Sequence, residues 1–277
     1  PTGEFTGEPG DKFFARRHVL QTADPVLDGK LERVVLVHRL REVVAQVGFT
    51  RFEPAGVDID TDLRLDTEVA PLAREVSWYP AVENRGEGVF LNFSRGSIER
   101  WLGTRPEVAQ RQQLFADALV EWAREKGFQP RAPVNLPYIM LHSLSHMLLA
   151  AVSLDCGYAT SAIRERIYAG ESGYGILLYT GAAGVEGTLG GLIEVGRNID
   201  KYLRKALEFA QLCSNDPVCS NHRPNSRTER RWLHGAACHG CLLISETSCE
   251  RRNEFLDRAL VVPPLMEPEL AYFGAIP

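Results

Sequence analysis

Cys213-Ser-Asn-Asp-Pro-Val-Cys219 and, 18 residues further on, Cys238-His-Gly-Cys241-Leu-Leu-Ile-Ser-Glu-Thr-Ser-Cys249 hold five of the six cysteines of this 277-residue chain. Core packing does not concentrate thiols in this way. The spacing runs C-x5-C, C-x2-C, C-x7-C, and a C-x2-C loop delivers two thiolates to one edge of the tetrahedron that Zn²⁺ prefers. Asp216-Pro217 supplies a turn that brings the wider pair together. Zn²⁺ is therefore the expected ion, with Cys213, Cys219, Cys238 and Cys241 as its ligands and Cys249 as the first replacement. His222, His234 and His239 lie near enough in sequence to compete. A disulfide pair or buried free thiols is the competing reading, but a disulfide framework belongs to small secreted domains and nothing here looks secreted.

A chain that is 44% hydrophobic and 24% charged can bury an ordinary core, as one large or two modest domains. The expected division is an N-terminal mixed region, 1–130, and a zinc-binding region, 131–277. The longest apolar stretch, Leu136 to Leu154, is interrupted by His142, Ser143, Ser145 and His146, so no membrane span is expected and a cytoplasmic location is. The opening Pro1-Thr2-Gly3-Glu4 has neither a methionine nor a signal-peptide pattern, which suggests the C-terminal part of a longer protein. A net charge of −5 argues against a globally basic nucleic-acid binder. Residues 51–90 carry nine acids against four arginines and 197–232 eight basic residues against four acids, so any phosphate contact is local.

Periodicity gives a coarse layout. Residues 1–30 read as irregular. Glu32 to Val47 has valines and leucines at helical spacing ahead of Gly48. A strand starts at Phe49, and Pro54 to Ala73 reads as a loop. Val76–Val82 and Gly88–Phe93 read as two strands of a hairpin joined by Glu83 to Glu87. Helices are expected at 97–102, 106–126, 138–154, 161–169, 198–212 and 250–260, and an interior strand at 173–180. Together these give a mixed α+β protein, helices packed on a small sheet, with a cysteine-rich zinc-binding segment near the end.

Other chemistry is weakly signalled. Gly181, Gly184, Gly187, Gly190 and Gly191 follow a strand and open a helix, the layout that cradles phosphates, but the Walker lysine and the G-x-G-x-x-G order are both missing. His142 and His146 share a helix face and could hold a metal; the residue after His142 is Ser143 rather than the glutamate of a zinc protease, which favours two core histidines bonded to neighbours. Ser143 and Ser145 lack a nucleophile elbow. Glu83 and Glu87 could bind Mg²⁺, which keeps a metal-dependent nuclease or hydrolase as the alternative function. Cys156 reads as a buried small hydrophobe, and the tryptophans form no stacking stripe.

The succession Leu141-His-Ser-Leu-Ser-His146, Gly173-Tyr-Gly-Ile-Leu-Leu-Tyr179, Gly184 to Gly191, the two cysteine segments, and Trp78-Tyr-Pro-Ala-Val-Glu-Asn-Arg-Gly-Glu-Gly-Val-Phe90 resembles the DrmB family of the DISARM phage-defence system. The cysteine domain also resembles the one that closes MrfA-type helicases. The similarity covers roughly 32–260. It implies a non-catalytic subunit that docks on a superfamily 2 helicase, a DrmA-like partner, the two together engaging DNA. It also implies a zinc role for Cys213, Cys219, Cys238 and Cys241, with the fourth ligand open among five cysteines, and makes Asn253 and Leu256-Asp257-Arg258 packing and capping residues. Arg223, Arg227, Arg230 and Arg231 are the basic side chains expected to reach DNA.

Overall fold

The computed structural model describes residues 5–20, 24–51, 56–57, 63–64, 69–126, 134–157, 159–180, 191–225, 233–264, 267–274 and 276. The segment with helical spacing is a strand instead: β3, Leu31–Ala45, preceded by β1, Phe5–Thr6, and β2, Phe14–His18. A bulge between Val37 and Leu40 shifts the alternation midway, which is how a strand imitated a period near 3.6. Its five valines are stiff at χ1 and suit a pleated surface better than a helix. Three short pieces follow, β4 (Gly48–Phe49), β5 (Gly56–Val57) and β6 (Leu63–Arg64), and then β7 (Ala70–Pro71), which pairs with β4.

The expected hairpin is a single strand, β8, Ala81–Phe93. Gly86 and Gly88 mark a close approach of backbones rather than a turn. A Cβ at Gly86 would sit 2.2 Å from the Thr180 carbonyl oxygen, and one at Gly88 2.6 Å from that of Leu178. The helices α1 (Arg95–Thr104), α2 (Pro106–Lys126) and α3 (Leu136–Cys156) lie where their patterns put them. Asn135 caps α3 by accepting the Tyr138 amide at 3.1 Å, and Gly157, left-handed at φ 67°, ends it.

Most of 161–169, expected to be helical, falls in β9, Ile163–Gly170, which pairs antiparallel with β10, Gly173–Thr180. Ile163, Glu165 and Ile167 alternate inward, so the period is 2. Then come α4 (Gly191–Arg197) and α5 (Ile199–Ala210). The last expected helix, 250–260, is a series of turns with left-handed backbone at Arg252, Asn253 and Phe255, and only Arg258–Leu260 winds, as a 3-10 turn.

Among the described residues the main sheet runs β1-β2-β3-β8-β10-β9, antiparallel throughout. The fold is mixed α+β. α3 lies across β9 and β10, α4 across β3 and β8, and α5 against α3. The core between them includes Val34, Leu36, Val89, Leu91, Ile176, Leu178, Leu144 and Leu148, each contributing about 1.5–3 kcal/mol by burial. α3 is long and apolar enough to cross a membrane by length and composition, yet sixteen of its 21 residues are buried within the protein. It is the central core helix, with His142, Ser143, Ser145 and His146 bonded inside.

Candidate metal centre

α5 ends at Ala210 and the chain turns directly into the first cysteine pair. Asp216 organises that turn: one carboxylate oxygen accepts the Cys213 amide at 2.9 Å and the other the Ser220 amide at 3.0 Å. Arg258 then grips both oxygens, at 2.7 and 2.9 Å, and donates to the Ala210 carbonyl at 2.8 Å. The second pair is a tight knuckle in which the Cys241 and Leu242 amides donate to the Cys238 carbonyl. Gly240 lets the two turns meet, since a Cβ there would lie 2.8 Å from Ser214 Oγ and 3.4 Å from Cys213 Sγ.

The sulfurs of Cys213, Cys219, Cys238 and Cys241 converge, with separations of 3.4 Å for 213–238, 3.7 Å for 219–241 and 3.8 Å for 238–241. A tetrahedron with Zn–S bonds near 2.3 Å has edges of about 3.8 Å, so the quartet fits zinc and excludes disulfides. All six cysteines are free thiols. Backbone amides of Asn215 and Gly240 point at the Cys213 and Cys238 sulfurs, at 3.4 and 3.3 Å, as they do around metal thiolates. Without a cation these groups obstruct one another. The proton Cys219 shares with Cys241 holds Cys219 far above the usual thiol range, burial raises Cys213 to about 11, and Cys241, receiving that hydrogen bond, falls to about 6.

Cys249 is not the spare member of this quartet. It belongs to a second group, His142, His146, Glu165 and Cys249, whose donor atoms also lie within 4.8 Å of one another and are all buried. His142 and His146 are bonded core histidines, as their context suggested, but their partners include charged groups. His142 Nε2 lies 3.0 Å from Cys249 Sγ and 2.9 Å from Glu165 Oε1, and His146 Nε2 lies 3.1 Å from that same oxygen. Burial alone would raise Glu165, yet the two imidazoles hold it well below the usual carboxylate range. Against the effect of burial, Glu165 and Cys249 raise both histidines, His146 to about 9, while His142 lowers Cys249.

Residues 144–242 match the MrfA Zn-binding domain, a span that contains the whole cysteine quartet and excludes both His142 and Cys249. The DISARM protein DrmB of Bacillus paralicheniformis is 40% identical over 247 residues, which are 88% of this chain and 43% of that protein. This chain is a homologue of DrmB. It spans less than half the length of the curated relative it matches. The resemblance read from the motifs is thereby borne out, and so is zinc as the cofactor.

Other sequence candidates of this DrmB homologue are placed differently. Arg223 pairs with Glu267 at 3.0 Å and donates to the Ser220 and His222 carbonyls, so its guanidinium is engaged within the chain. Arg227, Arg230 and Arg231 lie outside the described residues, as does most of the glycine-rich loop, 181–190. At the helix that follows this loop, the Leu192 amide donates to Glu87 Oε1 at 2.7 Å, so a carboxylate of the chain itself takes that donor. Glu83 binds Arg41 at 2.7 Å and Arg85 at 3.1 Å. Four residues apart on a strand, Glu83 and Glu87 are about 13 Å from each other and do not converge on an ion. None of His222, His234 and His239 joins the quartet; His234 meets the Asn253 carbonyl and burial lowers it to about 4.

Sequence reasoning missed Glu165, and it placed Asp216 in the first cysteine turn and Arg258 among the packing residues without the ion pair that joins them. The signal for Glu165 was a carboxylate in the inward phase between Ile163 and Ile167. Asn253 and Asp257 do act as caps, though of turns: Asn253 exchanges side-chain bonds with the Ile244 amide and carbonyl, and Asp257 accepts the Ala236 and Ala259 amides.

Proposed function

We propose that this chain is a non-catalytic part of an antiphage defence complex of the DISARM type. In it, the chain docks on a helicase subunit in the cytoplasm, helps that partner hold DNA, and carries zinc at Cys213, Cys219, Cys238 and Cys241. The observation that carries this reading is the 40% identity to DISARM DrmB across most of the chain, joined to a thiol quartet of zinc dimensions. The chemistry of the described residues supports it. Ser143 Oγ donates to the Ile139 carbonyl and accepts the Asp257 amide, so it is a structural link between α3 and the final turns. Val44, Phe49, Trp78, Tyr79 and Val82 are exposed near the far end of the β3–β8 ribbon, an apolar surface on which we place the helicase.

Co-purification with the helicase subunit tests the docking. Val44→Asp with Trp78→Asp should reduce recovery at least tenfold, and unchanged recovery would remove that surface from the proposal. DNA binding is tested on the assembled complex by charge reversal at Arg227, Arg230 and Arg231. Removing one phosphate-binding arginine reduces the salt slope by about one; an unchanged affinity and slope would refute the DNA role of these arginines. Metal-dependent cleavage by the isolated chain, abolished by His146→Ala, would overturn the non-catalytic reading.

A further inference from the structure

We propose that His142, His146, Glu165 and Cys249 form a second zinc site, separate from the cysteine quartet and structural in role. Three parts of the fold supply the donors. His142 and His146 stand one turn apart on α3, Glu165 is at the inward face of β9, and Cys249 comes from the turn after the zinc knuckle. The two imidazole planes are nearly perpendicular, at 85°, with centroids 4.6 Å apart, so their nitrogens approach a common point from different directions.

The hydrogen bonds around the group decide what that point holds. His142 Nδ1 is 3.2 Å from the Phe255 carbonyl and His146 Nδ1 is 2.8 Å from that of Leu242. A carbonyl only accepts, so each Nδ1 carries the hydrogen and each Nε2 is turned inward. Two neutral rings would then aim both Nε2 lone pairs at Glu165 Oε1, about 3 Å away, and the single hydrogen of a Cys249 thiol could satisfy only one of them. Two charged rings would put four ionised groups in a dry interior, which desolvation makes costly. A divalent cation removes the conflict: neutral imidazoles, a carboxylate and a thiolate give a ligand charge of −2 and a neutral site with Zn²⁺.

The outer partners are those that metal ligands usually have. Each histidine is fixed through its distal nitrogen, Ser145 Oγ donates to the other oxygen of Glu165, and the amides of Arg251 and Asn253 donate to Cys249 Sγ at 3.3 and 3.1 Å. For four-coordinate zinc the N···O and N···S edges are about 3.3 and 3.6 Å. The present 2.9–3.1 Å and 3.0 Å require the donors to part by a few tenths of an ångström around the ion. Four protein ligands in a site with no exposed member leave no open position for substrate, which makes the ion a staple. It ties α3 and β9 to the segment that leaves the quartet.

The test is metal counting on the tag-free full chain, saturated with Zn²⁺ and exchanged into metal-free buffer. Two zinc ions per chain are expected in the wild type. One should remain in the Cys238→Ser/Cys241→Ser chain, and one in the His146→Gln/Cys249→Ala chain. A wild-type chain that holds a single zinc overturns the site, and that result depends on no variant folding. So does a second equivalent that survives His146→Gln/Cys249→Ala, because it is bound elsewhere. Co²⁺ substitution gives an independent reading: in the Cys238→Ser/Cys241→Ser chain, a thiolate charge-transfer band should persist and vanish on adding Cys249→Ala.

Discussion

Asp216 does two jobs with two oxygens. It closes the first cysteine turn by accepting two backbone amides, and it neutralises Arg258, a guanidinium only 5% exposed. Arg258 also faces the thiols Cys241 and Cys219, so it offsets part of the negative charge that four thiolates leave after binding a dication. Asp216→Ala should weaken zinc binding by about tenfold to a hundredfold, with Asp216→Asn intermediate because it keeps acceptor capacity. Competition with a chromophoric chelator measures this, and affinity equal to wild type in both variants would show the carboxylate to be idle. His38, away from both clusters, offers a pH prediction. Its ring stacks on Phe14, and burial, then Arg197 and Arg16, lower it from the usual value of about 6.5. The folded state therefore favours the neutral ring, and the stability it contributes is present above the unfolded value and lost as pH falls through the folded one. A proton NMR titration should place the His38 midpoint below 6.5, and His38→Gln should remove part of the stability lost on acidification. A midpoint at or above 6.5 contradicts this.

At the level of elements, glycine carried two meanings that composition does not separate. In Glu83-Asn-Arg-Gly86-Glu87 it looked like a hairpin turn, whereas the backbone of β8 runs straight through and Gly86 makes room for Thr180. Because the neighbour is a backbone carbonyl, no rotamer change relieves the clash. Gly86→Ala should cost about 1–3 kcal/mol, seen as a lower urea midpoint with an unchanged slope; a loop glycine would tolerate the change. The long helices were legible because propensity, capping and burial agree: Pro106 opens α2, Asn135 caps α3, and α5 has one apolar face against α3. The strands β3 and β9 were not. A bulge broke the alternation of the first, and the second carries an inward glutamate whose partners lie 19 and 23 residues earlier in sequence. The turns after Cys249 were equally hidden, since left-handed Asn253 at their centre is held by bonds to Cys249, His234 and Ile244 and no glycine marks the place.

Across the whole molecule, the ligands link segments that the sheet does not. The cysteine spacing made the quartet readable, because each half is local; the His-Glu-Cys group was not, because its members are 4, 19 and 84 residues apart in turn and meet only once β9 is paired and α3 is docked. This difference has a consequence for stability. β3 and β8 are joined by a long ladder and sealed by α4, with no ligand among them. Residues 233–264, by contrast, have little regular structure and are held by the two clusters, by Asp257 and by Arg258. Metal binding is folding energy for such a segment. Removing zinc with a strong chelator should therefore raise amide hydrogen exchange first in 211–225 and 233–258, then at the C-terminal half of α3. The amides of 33–37 and 88–92 should stay protected. Mass-resolved exchange with and without chelator measures this, and the thermal midpoint should fall in parallel. If the β3–β8 ladder lost protection together with the cysteine segment, the chain would be one cooperative unit and the metals its common support. If neither region changed, the clusters would contribute nothing to folding.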